Sequence, residues 1–380
     1  MSSHASRRHL HRAMSAQATP GASPVAASGE ITVVASGLAF PRGFTWGPDG
    51  LLYVALAGDG LSPPPPPGAT TAPPRPDAPP SVVRIEADGS ITPVAHGLPS
   101  TKDPYGEVMG PVDVAFHNDE LYVLQDASGG THEPGIEAVG LDWPNGLYAV
   151  EPDGSVRLVS SGMVYVDTHP PENKYHFIDL GEPFAMVADD EGFWIVDANR
   201  GMLIHTLPEG TSRTIADLSF DHPVPTAIAH TPDGGFYVGY LGPGPHKDGE
   251  QKIVKVTRDG VVGDYLTGLA MVTGIAVGAD GVLYALDMST GNTVDAPQIY
   301  PNTGRIVRQT GPSTFDEVVT GLDYPISMGF GPDGGLYVSL PAISTNPTAG
   351  SIIRIDLASG VTLRMPQDLA NSDSREGATS

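Results

Sequence analysis

Six oxygen-bearing side chains in this sequence could hold a hard cation: Asp113, Asp126, Glu182, Asp197, Asn199 and Asp287. Oxygen donors without thiolates suit Ca²⁺, which takes six to eight of them. The chain has no cysteine, which excludes disulfides, thiolate nucleophiles and Cys-ligated zinc or iron–sulfur sites. Histidine is the second source of chemistry. His132, His169, His176, His222 and His246 fall near acids such as Glu133, Asp167 and Asp221. A histidine there could ligate zinc or act as general base toward a lactone or ester, with His132, His169 and His222 the catalytic candidates. There is neither a His-Glu-x-x-His zinc motif nor a Gly-x-Ser-x-Gly nucleophile elbow. All these residues are far apart in sequence, so any joint action depends on elements that bring them to one place.

Those elements repeat. An acidic turn followed by an aromatic recurs six times. Gly47-Pro48-Asp49-Gly50 precedes Tyr53, and His117-Asn118-Asp119-Glu120 precedes Tyr122. Asp189-Asp190-Glu191-Gly192 precedes Trp194, and Pro232-Asp233-Gly234 precedes Tyr237. Ala279-Asp280-Gly281 precedes Tyr284, and Pro332-Asp333-Gly334 precedes Tyr337. Each turn joins a short alternating run to an apolar run, the pattern of a hairpin whose Asp-Gly supplies positive φ. Third and fourth strands follow, as in Val82–Ile85 and Ile91–Val94 around Asp88-Gly89. Four antiparallel strands repeated six times predict an all-β fold, a six-bladed β-propeller over residues 30–365. Ile31–Val34 is the expected closing strand of the last blade, with Val361–Met365 competing for that place.

Such a blade puts its first-to-second and third-to-fourth turns on one rim. The long segments 57–80, 126–144, 241–251, 288–304 and 341–350, with the crossing at 163–181, all belong to the other rim. Long loops without secondary structure are usually functional or disordered, so this face is expected to carry a small-molecule or protein partner. The run Pro63–Pro67, extended by Pro73-Pro74 and Pro79-Pro80, reads as a polyproline II spacer or a segment that docks on an aromatic groove. Trp143, Tyr165, Tyr175 and Phe177 either stack on a flat ligand or pin the loops to the blades. Inner-strand starts share a small position, Gly43, Ala227, Gly274 and Ser327, where Asp113 is the exception. With that register the acids are expected to converge on the mouth of the central channel. The alternative is that they cap turns and bind channel water.

Composition narrows the classes. Of 380 residues 47 are Gly and 38 Pro, which argues against a helical bundle. A net charge of −24 opposes nucleic acid and anionic membranes, and no apolar run is long enough to span a bilayer. Residues 1–29 hold Arg7, Arg8 and Arg12 and then a small-residue zone around Ala16-Gln17-Ala18. They resemble an export signal that lacks its apolar middle, with a disordered tail the alternative, and an exported protein is expected. Residues 366–380 are polar and expected to be a disordered tail.

The spacing of Pro41-Arg42-Gly43 before Gly47-Pro48-Asp49-Gly50 and Tyr53-Val54 resembles that of NHL and SMP-30-like six-bladed propellers. The succession Pro41-Arg42-Gly43, Gly110-Pro111-Val112-Asp113-Val114 and Val224-Pro225-Thr226 more closely resembles the ScyD/ScyE family. These are accessory propellers of scytonemin biosynthesis. That likeness implies an exported propeller with no settled reaction. SMP-30-like lactonases and paraoxonases imply an axial Glu/Asn/Asp metal site. Glu182 could stand for the Glu, but Thr226, Thr273 and Ile326 occupy positions where Asn or Asp would be expected. The leading expectation is a binding or accessory module. A metal-dependent lactonase or esterase with axial Ca²⁺ or zinc is the alternative, and a condensing enzyme of the strictosidine-synthase kind a third. An enzyme of the second kind needs three or more oxygen ligands on one point; a binding module needs an aromatic or apolar patch among the long loops.

Overall fold

The computed structural model describes residues 29–60, 78–102, 108–126, 143–174, 181–294, 299–358 and 360–370. The N-terminal basic segment, Pro63–Pro67, Pro73-Pro74, His132, Tyr175, His176, Phe177 and the tail from 371 lie outside them. The strands form six sheets of four or five, the six-bladed propeller that the repeats predict. Blade one contains Pro41–Trp46, Leu52–Leu56, Ser81–Ile85 and Ile91–Ala95. Blade two runs Val108–His117, Glu120–Asp126, Gly146–Val150 and Val156–Ser161; blade three runs Pro183–Asp189, Gly192–Asp197, Met202–Thr206 and Ser212–Asp217. Blade four runs Pro225–His230, Phe236–Tyr240, Gln251–Val256 and Val262–Leu269. Blade five runs Val272–Val277, Leu283–Asp287, Gly304–Gly311 and Thr314–Leu322, and blade six Ser327–Phe330, Leu336–Leu340 and Gly350–Asp356.

The chain ends settle the closure. Glu30–Leu38 pairs antiparallel with Gly350–Asp356, placing Ile31 opposite Ile355 and Val33 opposite Ile353, so the N-terminal strand completes blade six. The competing segment does something else: Leu363–Arg364 adds to the outside of blade five, parallel to Thr314–Leu322. Glu30–Leu38 wins because seven of its residues pair with blade six, against two for the C-terminal piece on blade five. Among the described residues no helix is long and apolar enough to cross a membrane.

Apolar residues bury between neighbouring blades, not around one centre. Alternate side chains point to opposite faces of a strand. Tyr53 and Ala55 therefore join the cluster shared with blade two, while Leu52, Val54 and Leu56 join the one shared with blade six. Both faces of each sheet are covered, which is why the second and third strands read as unbroken apolar runs.

The repeated turn has a definite mechanism. Gly50, Gly234, Gly281 and Gly334 sit at φ between +77° and +89°. Blade two makes the same reversal with Asn118 and Asp119 at +50° and +65°, residue types that tolerate this region. The turn carboxylate then binds its own loop and the aromatic four residues on. Asp49 accepts from the Leu51 amide (3.1 Å) and from the Tyr53 hydroxyl (3.0 Å). Asp333 accepts from the Gly335 amide and the Tyr337 hydroxyl, both at 3.2 Å. A third-strand cation opposite the aromatic completes it: Lys255 to Asp233 at 2.5 Å and Arg354 to Asp333 at 2.6 Å.

Candidate functional site: the axial channel and its mouth

The inner strands of blades one to five enter the ring through a bulge. Pro111 pairs with Gln125 and Asp113 with Leu124, leaving Val112 out of register. The same shift isolates Phe184, Thr226 and Thr273 in blades three to five. A bulge re-aims one side chain. Here the re-aimed residues meet at the channel mouth, where Arg42, Val112, Phe184, Thr226, Thr273 and Ile326 line a cavity of about 30 Å³ with Asp113, Asp126 and Glu182. That is room for one or two waters. The two hydroxyls stitch blades together, Thr226 donating to the Val272 carbonyl (2.6 Å) and Thr273 to the Pro325 carbonyl (3.1 Å).

Asp113 sits one layer deeper. Its carboxylate accepts from its neighbour's amide, Val114 (2.9 Å), and from the blade-three amide of Met186 (2.8 Å). It also lies across blade one, where a Cβ on Gly43 would stand 2.0 Å from Oδ1. The small position in blade one is therefore what admits the large one in blade two. Burial pushes the Asp113 carboxyl up to about 7, against the pull of the two amides.

The other acids go elsewhere. Asp126 and Glu182 reach the mouth, and Asp126 accepts from the Asn145 amide nitrogen at 2.7 Å. Asp197 and Asp287 do not converge there, contrary to the sequence expectation. They end the second strands of blades three and five, at the register position of Gln125, and each ties down the segment that crosses in from the preceding blade. Gln125 donates to the Pro99 carbonyl (3.1 Å), and Asp287 accepts from the Ala270 amide (3.3 Å) and from Arg305 (2.8 Å). Asp197 accepts from the Arg200 amide (2.8 Å) in the turn after its own strand and from the backbone of Glu182 in the incoming crossing. Burial pushes Asp197 up to about 6, and raises Asp287 despite its arginine. Asn199 lies in the turn between Gly192–Asp197 and Met202–Thr206, and it is not among the residues lining the mouth.

This donor set does not fit calcium or zinc. Among the described residues no three of His, Asp and Glu are placed to hold one metal ion. The ring at the mouth offers three apolar side chains and the Arg42 guanidinium, which itself donates to the Val108 carbonyl. A fixed positive charge at the mouth, where Asp126 and Glu182 also stand, opposes a metal cation there. Nothing in the spacing of the acids marked Arg42 beforehand, although a charged residue between Pro41 and Gly43 was the available signal.

Among the described histidines, His117, His169 and His205 have structural partners. His169 ends the helix Gly162–Thr168 and stacks on Tyr165 with centroids 4.4 Å apart. His222 and His246 are half-buried on the long-loop face, at φ +50° and +58°, and burial lowers both pKa values. His117 bonds the Asp189 carbonyl (2.9 Å), and His205 bonds the Glu191 carbonyl (2.9 Å) while stacking on Trp194. Trp143 stacks on Tyr148, and Tyr165 meets Thr214 at 3.0 Å, so both pin their loops to the blades.

Sequence inspection missed Phe220. It lies in the crossing from blade three to blade four on the long-loop face and is 75 % exposed, the only aromatic among the exposed large hydrophobics of the described residues. Asp221, His222 and Val224 beside it all have φ of +50° to +62°. For Val224, a β-branched residue, that is a strained conformation.

No family model and no curated protein matches the sequence. Solved structures do. A calcium-binding regucalcin from Agrobacterium tumefaciens superposes with a TM-score of 0.53 at 13% identity, over 88% of this chain and 96% of that one. A gluconolactonase from Xanthomonas campestris gives 0.51 at 12% identity, over 87% and 90%. A glucose dehydrogenase gives 0.53 at 12% identity, over 86% and 98%. A calcium-binding protein, a gluconolactonase and a glucose dehydrogenase share this scaffold, and a shared fold carries no activity with it. What the likeness establishes for this chain is the six-bladed propeller fold.

Proposed function

We propose that this protein is a binding or accessory propeller whose partner engages the long-loop face, in the manner the ScyD/ScyE likeness implies. The observation that carries the reading is Phe220. An aromatic side chain 75 % exposed on a strained crossing costs free energy in the lone chain. Aromatic side chains of this kind anchor protein and ligand contacts. Val164, on the neighbouring crossing, is 54 % exposed and adds apolar surface. Those two crossings are joined: the Glu172 amide donates to Asp217 (2.6 Å) and the Asn173 amide to Ser219 (3.1 Å). They therefore present one supported surface.

The axial shell favours this reading over a metal-dependent lactonase or esterase, because Arg42, Val112, Phe184 and Ile326 stand where oxygen ligands are required. The test is elemental analysis of protein purified without chelator, beside Asp113→Ala protein, with both exposed to a panel of lactones and esters. Metal-free protein inert toward the panel is the expected result. One equivalent of calcium or zinc, lost in the variant together with hydrolysis, overturns the proposal. Phe220→Ser is expected to abolish retention of any partner that the unmodified protein holds at the long-loop face.

A further inference from the structure

The largest space on the axis opens on the opposite rim. Below Asp113 the channel widens to a cavity of about 400 Å³, bounded toward the tight turns by Trp46, Phe116, Ala188 and His230. That volume is within the range of small-molecule sites. The four residues from Asp113 to Phe116 span about 10 Å of strand, so the space is a narrow shaft. Its sides are the free edges of the inner strands, with backbone carbonyls and amides exposed along them. Its outer end is preformed. Trp46 is wedged edge-on between Phe44 (5.6 Å) and Tyr337 (5.1 Å), Phe116 packs edge-on against Tyr53 (4.9 Å), and His230 lies 3.4 Å from the Ala188 carbonyl. A rigid rim loses little freedom when a ligand enters.

Asp113 closes the inner end of the shaft, only 9 % exposed, with two amides as its hydrogen-bond partners and no cationic side chain bonded to it. An ionised carboxylate taken out of water needs a counter-charge. We infer that the shaft is a binding site for a small organic primary ammonium on a short apolar chain, seated with its nitrogen on Asp113 and its chain toward Trp46 and Phe116. An ammonium has three N–H donors: one meets the carboxylate and the others find strand-edge carbonyls. The net charge of −24 raises the local concentration of cations at the surface. This site is independent of the long-loop face and stands whatever binds there.

The test uses n-butylamine hydrochloride as the probe, with 1-butanol and butyrate as neutral and anionic counterparts, by titration calorimetry and by the imidazole proton signals. Saturable one-to-one binding of the amine is expected, with both counterparts at least tenfold weaker. Asp113→Asn is expected to weaken the amine at least tenfold. The His230 imidazole signal, assigned with His230→Gln, is expected to shift on amine addition while that of His169 on the other face stays still. This readout decides the matter in unmodified protein if Asp113→Asn does not fold. Equal binding of 1-butanol, undiminished binding to Asp113→Asn, a shift at His169 alone, displacement by equimolar Ca²⁺, or no saturation each overturns the assignment.

Discussion

The two rims of this propeller are made by the same strands and obey different rules. On the tight-turn rim four blades share one solution: a turn aspartate, an aromatic four residues later and a third-strand Arg or Lys, as at Asp333, Tyr337 and Arg354. On the long-loop rim each blade differs. Equivalent positions hold Gln125, Asp197 and Asp287, which anchor incoming crossings through different partners, and the bulged ring runs from Arg42 to Ile326 without two charged members. Repetition maintains the scaffold, and departures from it mark where this chain has been specialised. Asp113, the one charged residue at a small-residue position, is the plainest departure.

Substitutions can break the contrast. The largest effect is expected at Asp287, wholly buried and bonded to Arg305 at 2.8 Å. Asp287→Ala breaks that buried pair, leaving Arg305 only Glu317 nearer the surface, and should cost about 3–5 kcal/mol in denaturant unfolding. Arg354→Ala on the exposed rim should cost about 1 kcal/mol or less in the same assay. Equal losses would mean that the two rims are not energetically distinct.

Stability should also fall as pH rises, because of the channel. Asp113 is raised from the ordinary carboxylate range to about 7, so the folded chain holds its proton where the unfolded chain has released it. Its stabilising share is complete below about pH 4, is lost between about pH 4 and 7, and is flat above; the loss is on the order of 4 kcal/mol. Asp197, raised to about 6, acts in the same direction. Melting temperatures from pH 4 to 8 should show this decline, and Asp113→Asn should flatten part of it.

Next comes Gly43→Ala, whose Cβ would meet Asp113 Oδ1 at 2.0 Å. It should cost about 1–3 kcal/mol, and Asp113→Ala should relieve most of that in the double variant. Additive losses would show that the two positions are not coupled across the neck. The smallest effect belongs to Phe220→Ser, which should change stability by less than about 0.5 kcal/mol, since the ring is in solvent. A larger loss would place Phe220 in the scaffold and remove the observation behind the proposed function.

Local chemistry made the repeats legible. Asp-Gly turns require positive φ at fixed offsets, and strands covered on both faces must read as apolar runs, so six copies could be counted without coordinates. The ring of small inner-strand residues, with Asp113 as its exception, was legible for the same reason. The destinations of the other acids were not. Asp197 and Asp113 look alike in sequence, both in short apolar strands; a bulge between Pro183 and Ala185 and another between Pro111 and Asp113 set which residues turn to the axis. Arg42 and Phe220 were missed because their importance rests on what surrounds them in space.

By itself, then, the sequence determined the blade count, the turn chemistry and the rim that bears the long loops, since all three follow from interactions within some ten residues. Only the packing of the blades shows that the N-terminal strand closes the ring, that Asp197 and Asp287 stay away from the channel mouth, and that the larger of the two axial spaces lies beneath Asp113. Each of these depends on segments far apart in the chain meeting across a blade boundary or the axis, where registers shifted by single residues choose which side chains face one another.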